Sequence, residues 1–291
     1  MGRAGDIEWR STLFQTNEDS EGGGIDSSWS FYLGYFAGGF LPTSGNTASW
    51  SGNWVTVSAT KYDDAFGSRF VGLWENDGSV FAGAKGYIWG VNREGIDQEW
   101  ILLSGSTWFW PAQGGGSIDP SGNKVVWQVD SANQAVLGTV NSGGVHMKTE
   151  SVPVGDPPFL NGPAWRELHF SEEELDDSLV SGWEADPDGD GCVNLFEMAT
   201  GTDPRAGKEK ARMRSAVVED GGLFLTMTIP KGRSVGVTYT GSVSGDLRQW
   251  ISGPPTVILE SETPSSITFR DTTPWAPGKK RFGRVRVELS P

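Results

Sequence analysis

Glycine and proline interrupt this chain so often that no long helix can run through it. They supply 41 and 16 of its 291 residues, and only short stretches lie between them. Within those stretches aromatic and β-branched residues alternate with small polar ones, a strand pattern rather than a helical one. From 29 to 35 the alternation places Trp29, Phe31, Leu33 and Tyr35 on one face, as a half-buried strand requires. The same reading predicts strands over 53–59, 68–74, 86–91, 99–103, 106–110, 124–130 and 134–140. Turn clusters separate them at 43–46, 75–78 and 114–117. Many short strands at this spacing predict a β-sandwich or jelly roll.

A proline-rich connector occupies 151–163, and the texture then changes. Ser171 and Glu174 stand at capping-box spacing, where hydroxyl and carboxylate satisfy free amides at a helix start. Leu175, Leu179 and Val180 follow at helical spacing, and Gly182 can end the turn. A second short helix is predicted over 193–200, closed by Gly201 with Pro204 beyond it. Residues 205–214 read as a basic linker. Strands resume at 222–229, 235–240, 256–260, 266–270 and 282–289; in the last, Val285, Val287 and Leu289 point opposite to Arg284, Arg286 and Glu288. The expected fold class is all-β: an N-terminal jelly-roll-like sandwich over 1–157, a helix–loop–helix linker unit over 158–204, and a C-terminal sandwich over 205–291.

The net charge is −14, unevenly spread: the segment 166–204 is strongly acidic, whereas 205–291 carries a basic excess. An acidic body repels phosphate backbones, which argues against nucleic acid as a partner. The single cysteine, Cys192, permits no intrachain disulfide, and no Cys/His spacing makes a zinc site. No GxSxG, HExxH, P-loop or dinucleotide fingerprint stands in a suitable context. The histidines, His146 and His169, read as surface or packing residues. No apolar stretch is long enough to span a membrane.

One segment carries specific chemistry. From 186 to 197, oxygen donors fall at loop positions 1, 3, 5, 9 and 12, with glycine at position 6. A hard cation that wants about seven oxygens needs early carboxylates, a sharp reversal, one backbone carbonyl and a late bidentate glutamate. In that scheme Asp186, Asp188 and Asp190 are side-chain ligands, and Gly191 makes the reversal. Cys192 offers its carbonyl, Asn194 ligates directly or through water, and Glu197 is the bidentate residue on the exiting helix. Carboxylates so close would repel one another without a cation. The expected cofactor is Ca2+.

The segment 183–204 resembles the calcium loop of thrombospondin type 3 repeats and dockerins, found in modular secreted bacterial proteins. Pro187 and the trailing Gly201, Thr202, Asp203 and Pro204 lie nearer the bacterial thrombospondin-type form than calmodulin. The stretches 243–250 and 281–287 resemble the immunoglobulin- or fibronectin-like domain that often ends such proteins. The resemblance implies an extracellular or cell-surface location, although the N-terminal residues lack a leader's apolar run. A single loop replaces the tandem array or the dockerin pair, so a structural clamp is expected rather than a switch or a cohesin-type dock.

The expected function is therefore non-enzymatic: a calcium-stabilised structural or adhesive protein, with self-association or a surface glycan as its partner. The alternative is a carbohydrate-binding module, because Trp50, Trp54, Trp74, Trp108 and Trp110 could stack on sugar rings. Against that, a sandwich needs large inward residues, and the core is the commoner place for any one tryptophan. Trp108 and Trp110 would share a strand face, with Phe109 covered on the other. Trp250 is expected to plug the C-terminal core. Lys279, Lys280, Arg281, Arg284 and Arg286 read as a solvated strand face.

Overall fold

The computed structural model describes residues 6–65, 67–75, 82–92, 98–111, 125–208, 210–276 and 278–290. The turn cluster at 114–117 and most of the one at 75–78 lie outside them. The chain is mostly β and divides into two compact units, 1–168 and 169–291. Residues 158–168 of the expected linker unit thus group with the first unit, and 169–204 with the second. No helix among the described residues is long and apolar enough to cross a membrane.

The first unit is built on an antiparallel sheet in the order Glu150–Val152, Gln98–Ser104, Tyr87–Asn92, Trp29–Phe36 and Trp54–Lys61, with Gln134–Leu137 also pairing to Gln98–Ser104. A second sheet has Ile7–Arg10 between antiparallel Val71–Trp74 and parallel Val125–Gln128. A third joins Thr139–Ser142, Val145–Lys148 and Asn17–Glu18. Trp29, Phe31, Leu33 and Tyr35 do share a face, in one core with Ile7, Trp9, Trp74 and Trp127 of the second sheet.

The strand is not half-buried, however: every residue from Trp29 to Phe36 is enclosed. Its other face is covered by a second aromatic layer, in which Phe36 meets Trp54 and Tyr87 edge-on, and Trp89 meets Trp50, Trp54 and Trp100. Gly34 makes this packing feasible. A Cβ there would stand 2.2 Å from the Val55 carbonyl oxygen and 2.5 Å from the Trp54 ring, so any side chain would force the strands apart at the bulge between Leu33 and Gly34.

The expected strand at 106–110 does not form. Phe109 makes only an isolated bridge to Lys85 and is 50% exposed, with the Lys85 ammonium 5.0 Å from its ring centroid. Trp108 and Trp110 share a buried side, as expected, with backbone hydrogen bonds to Gly83, Ala84 and Gly86, but the opposite side, which Phe109 occupies, is open rather than covered. The expected strand 134–140 is broken at Gly138, and its two halves pair in different sheets.

The helix Gly162–His169 starts inside the stretch read as connector. Asn161 explains the start: its side-chain oxygen accepts from the Ala164 amide at 2.9 Å, while its Nδ2 donates to the Thr56 carbonyl. Pro163, which suggested a connector, is compatible with a first helical turn. The helix buries Ala164, Trp165 and Leu168 and delivers Glu167 to Ser58 Oγ (2.7 Å) and the Ala59 amide (2.9 Å). Burial pushes the Glu167 carboxyl up to about 7 against the pull of those two donors. A raised carboxyl favours folding when protonated. Its contribution is therefore complete below the ordinary carboxylate range and lost as pH rises through about 7. For a half-buried group this amounts to about 2 kcal/mol. Glu167→Gln should flatten the stability-versus-pH curve between about pH 4.5 and 7, measured by urea unfolding; an unchanged slope would contradict the assignment.

The second unit holds two antiparallel sheets, Arg214–Glu219, Leu223–Pro230, Ser266–Asp271 and Val257–Glu262 in that order, and Ile251–Ser252, Val237–Ser244 and Phe282–Leu289. Met227, Ile229, Ile267 and Phe269 from the first share a core with Val243 from the second. Part of the expected basic linker is structured: Arg214 opens a strand whose turn lies at Asp220 to Gly222.

One basic residue, Arg281, departs from the solvated face expected of it, whereas Arg284 is exposed as expected. Arg281 makes a fork to the fully buried Asp271, with Nη2 donating to Oδ1 at 2.8 Å and Nε donating to Oδ2, and this pairing raises the guanidinium pKa. Arg284 lies 4.2 Å from the centroid of the Trp250 ring. Trp250 itself is half-buried and outside the core, so it does not plug it. Trp250→Ala should cost only about 1 kcal/mol, the scale of a surface cation–π contact with some area burial. A loss above about 3 kcal/mol in chemical denaturation would place the indole in the core instead.

Candidate metal centre

The acidic loop lies within the second unit, between a capped turn and a short helix. Ser171 and Glu174 form the reciprocal capping box: the Glu174 amide donates to Ser171 Oγ at 3.3 Å and the Ser171 amide to Glu174 Oε2 at 3.0 Å. Arg205 Nη2 also reaches Glu174 Oε2, at 2.5 Å. On the far side the helix Asn194–Thr200 ends at Gly201, whose φ of 79° closes it in the left-handed region.

Between these supports the chain coils on its own carboxylates. Asp186 Oδ1 accepts from the Asp190 amide at 3.1 Å, and its Oδ2 from the Gly191 amide at 2.8 Å. Asp188 Oδ1 accepts from the Asp190 amide at 3.1 Å, and Asp190 Oδ1 from the Cys192 amide at 2.6 Å. Gly191 has φ 92°, the reversal expected at loop position 6. The result brings one ligand oxygen from each of Asp186, Asp188 and Asp190 within 4.8 Å of the others, a group that could hold a metal ion.

The exiting helix adds Glu197, only 1% exposed. Burial pushes its carboxyl up to about 7, and the negative charges of Asp188, Asp190, Asp186 and Asp203 push the same way. Asp188 Oδ2, Asn194 Oδ1 and Glu197 Oε2 are buried acceptors with no hydrogen-bond partner. Unpaired buried acceptors of this kind each cost roughly 1–3 kcal/mol, more when charged. Among the described residues the carboxylates gathered into one group are Asp186, Asp188 and Asp190, and Glu197 stands outside that group; the three aspartates fit an oxygen-ligated ion.

Not every expected ligand is placed alike. Asn194 is fully enclosed, and its Nδ2 donates to the Val180 and Gly182 carbonyls at 2.9 and 2.8 Å. It ties the loop's entry to its exit and leaves only Oδ1 for a ligand. The Cys192 thiol is pushed up to about 11 by burial, its hydrogen bond to Asp190, and the Asp190 and Glu197 charges, so it stays protonated and weakly reactive. Two neighbours escaped the sequence reading. Lys210 Nζ lies 3.9 Å from Asp190 Oδ2, and Thr202 Oγ1 donates to Glu197 Oε1 at 3.5 Å. Thr202 belongs to the segment that trails the loop; nothing in the sequence singled out Lys210.

Elsewhere, the tryptophans offered as a sugar platform are enclosed: Trp50, Trp54, Trp74, Trp108 and Trp110 are all buried. Those five indoles therefore present no open stacking face, because both faces of the central sheet are occupied by protein. His146 is also buried; its Nδ1 is 2.9 Å from Asn141 Oδ1 and 3.3 Å from Asp130 Oδ1, and burial lowers its pKa against the Asp130 charge. His169 faces Asp203 with Nδ1 3.6 Å from Oδ1.

No family model, curated protein or solved structure matches this chain.

Proposed function

We propose that the loop 186–197 binds one calcium ion and that the protein is a non-enzymatic, calcium-stabilised structural or adhesive component working outside the cell or at its surface. The observation that carries the reading is the set of buried, unpartnered acceptors on Asp188, Asn194 and Glu197 beside the Asp186–Asp188–Asp190 group. The bound ion would supply positive charge to carboxylates that otherwise repel, and it would do no chemistry. Asp186, Asp188, Asp190 and Glu197 would hold it by side-chain oxygens, Cys192 by its carbonyl, and Asn194 by Oδ1 or through water.

The ion's mechanical effect falls on the second unit. The helix that carries Glu197 is held to the sheets there: Tyr239 donates its hydroxyl to the Ala199 carbonyl at 2.6 Å, the Gly232 amide donates to the same carbonyl, and Phe196 packs against the core. An ion gripping Glu197 would therefore stiffen the whole unit rather than a free loop. A lone loop with no partner loop suits the millimolar calcium found outside cells. We also read the two units as β-sandwiches, the first jelly-roll-like and the second immunoglobulin- or fibronectin-like, since in each one the sheets share a core. The strand Arg214–Glu219 pairs on one side only and offers an edge for self-association. Calorimetric titration of the chelator-stripped chain with calcium tests the central statement: a one-to-one heat of binding is expected, and its absence would remove the proposal.

A further inference from the structure

The second unit contains a cavity of about 720 Å3 between the residues trailing the loop helix and the edge of its four-stranded sheet. That volume is within the usual range for a small-molecule site. Three cations line it: Lys210, Arg212 and Arg214. Among the described residues neither Arg212 nor Arg214 has a carboxylate partner. Most of the lining is apolar, with Ala211, Met213 and Pro230 among it, and the remaining polar surface comes from hydroxyls, among them Thr200, Thr202, Thr228 and Ser266. These hydroxyls already spend their protons or share them locally: Thr200 donates to the Phe196 carbonyl, Thr202 to Glu197, and Thr228 shares a bond with Thr268. Each keeps lone pairs toward a ligand.

A largely apolar cavity that also offers cationic donors and hydroxyl acceptors matches a molecule that carries an anionic group, donating hydroxyls and an apolar C–H face. A simple inorganic anion leaves the acceptors unused. A nucleotide base would want an aromatic face, and no aromatic ring lines this cavity among the described residues. We infer that the cavity is a binding site for an acidic saccharide unit, with Arg212 and Arg214 holding its carboxylate or sulfate and Thr228 accepting from its hydroxyls.

The cavity is also coupled to the loop, a point that rests on the calcium reading above. Lys210 lines the cavity while its Nζ stands 3.9 Å from Asp190 Oδ2. An ion held by Asp190 cancels the charge that draws Lys210 toward the loop and frees it for the ligand's anion. Calcium and saccharide therefore strengthen each other's binding, as linkage requires.

Calorimetric titration of the full chain with digalacturonate, with sulfated lactose, with lactose and with acetate tests this. At least one acidic disaccharide should bind tenfold or more tighter than lactose and acetate, and which of the two binds names the anionic group. The Arg212→Ala/Arg214→Ala double variant should lose at least tenfold, and Thr228→Val at least threefold, with melting temperatures kept as a check on folding. Equal binding of lactose or acetate, no binding of either acidic sugar, or full affinity in the folded double variant would each overturn the site. Calcium should tighten binding of whichever acidic disaccharide binds at least threefold in the native chain and not in Asp188→Ala; no enhancement for that disaccharide in a native chain that binds calcium would overturn the coupling. Terbium luminescence reads the loop separately, so a failed loop and a failed cavity give different results.

Discussion

Stripped of calcium at pH 8, the Glu197→Gln chain is expected to melt above the native protein, and to gain nothing when calcium is returned. Both halves follow from one group. Glu197 is buried among Asp186, Asp188, Asp190 and Asp203, and its Oε2 has no partner. Without an ion, an amide of the same shape removes a desolvated charge and its repulsion. With an ion, the native carboxylate becomes the stronger ligand and the order reverses. A ligand present at a hundred times its dissociation constant adds about 2.7 kcal/mol to the folded state, which for a unit of this size is roughly a 10 °C rise in Tm. Asp188→Ala should lose the same rise, since it removes a member of the carboxylate group and an unpartnered buried oxygen. Differential scanning calorimetry with and without calcium checks all three chains. A calcium-dependent rise that survives in Asp188→Ala would show that the ion, if bound, is held elsewhere.

The local backbone geometry around the acidic loop was legible in the sequence, because everything it needs lies within one short segment. The capping box at Ser171 and Glu174, the helix ending at Gly201 and the reversal at Gly191 stand where the spacing put them. The strand Phe282–Leu289 likewise has the expected bounds, since alternation along one strand is a local property. What was not legible depends on partners distant in the chain. Alternation revealed one buried face of Trp29–Phe36 but not the second, which exists because Trp54, Trp89 and Trp100 arrive from other strands. The pairing of Arg281 with Asp271 joins the end of one strand to the residue that precedes a strand of the other sheet. The strand beginning at Arg214 is an edge with mostly exposed residues, so its composition resembles a linker. The cavity needed three elements at once: the loop's trailing segment, the sheet edge and the turn at Ser265 and Ser266.

The aromatic layer beneath the first unit's sheet carries the largest expected loss of stability. Trp89 is fully enclosed and meets Trp50, Trp54 and Trp100 edge-on, with centroid separations of 5.3, 5.4 and 4.9 Å. Its strand, Tyr87–Asn92, lies inside the sheet between two others, so the backbone cannot easily collapse into a void. Trp89→Ala should therefore cost about 5 kcal/mol, the upper end for aromatic truncation, a large share of the roughly 5–15 kcal/mol that holds a domain together. The first unit should lose its near-ultraviolet circular dichroism well below the native midpoint in urea. Trp89→Phe distinguishes packing from polarity. The indole Nε1 is buried without an acceptor, so the ring swap discards an unsatisfied donor while losing volume. Its cost should stay below about 2 kcal/mol. If phenylalanine proves as damaging as alanine, the Nε1 donor has a partner that matters more than the packing, and the view of this layer as close-packed ring edges fails.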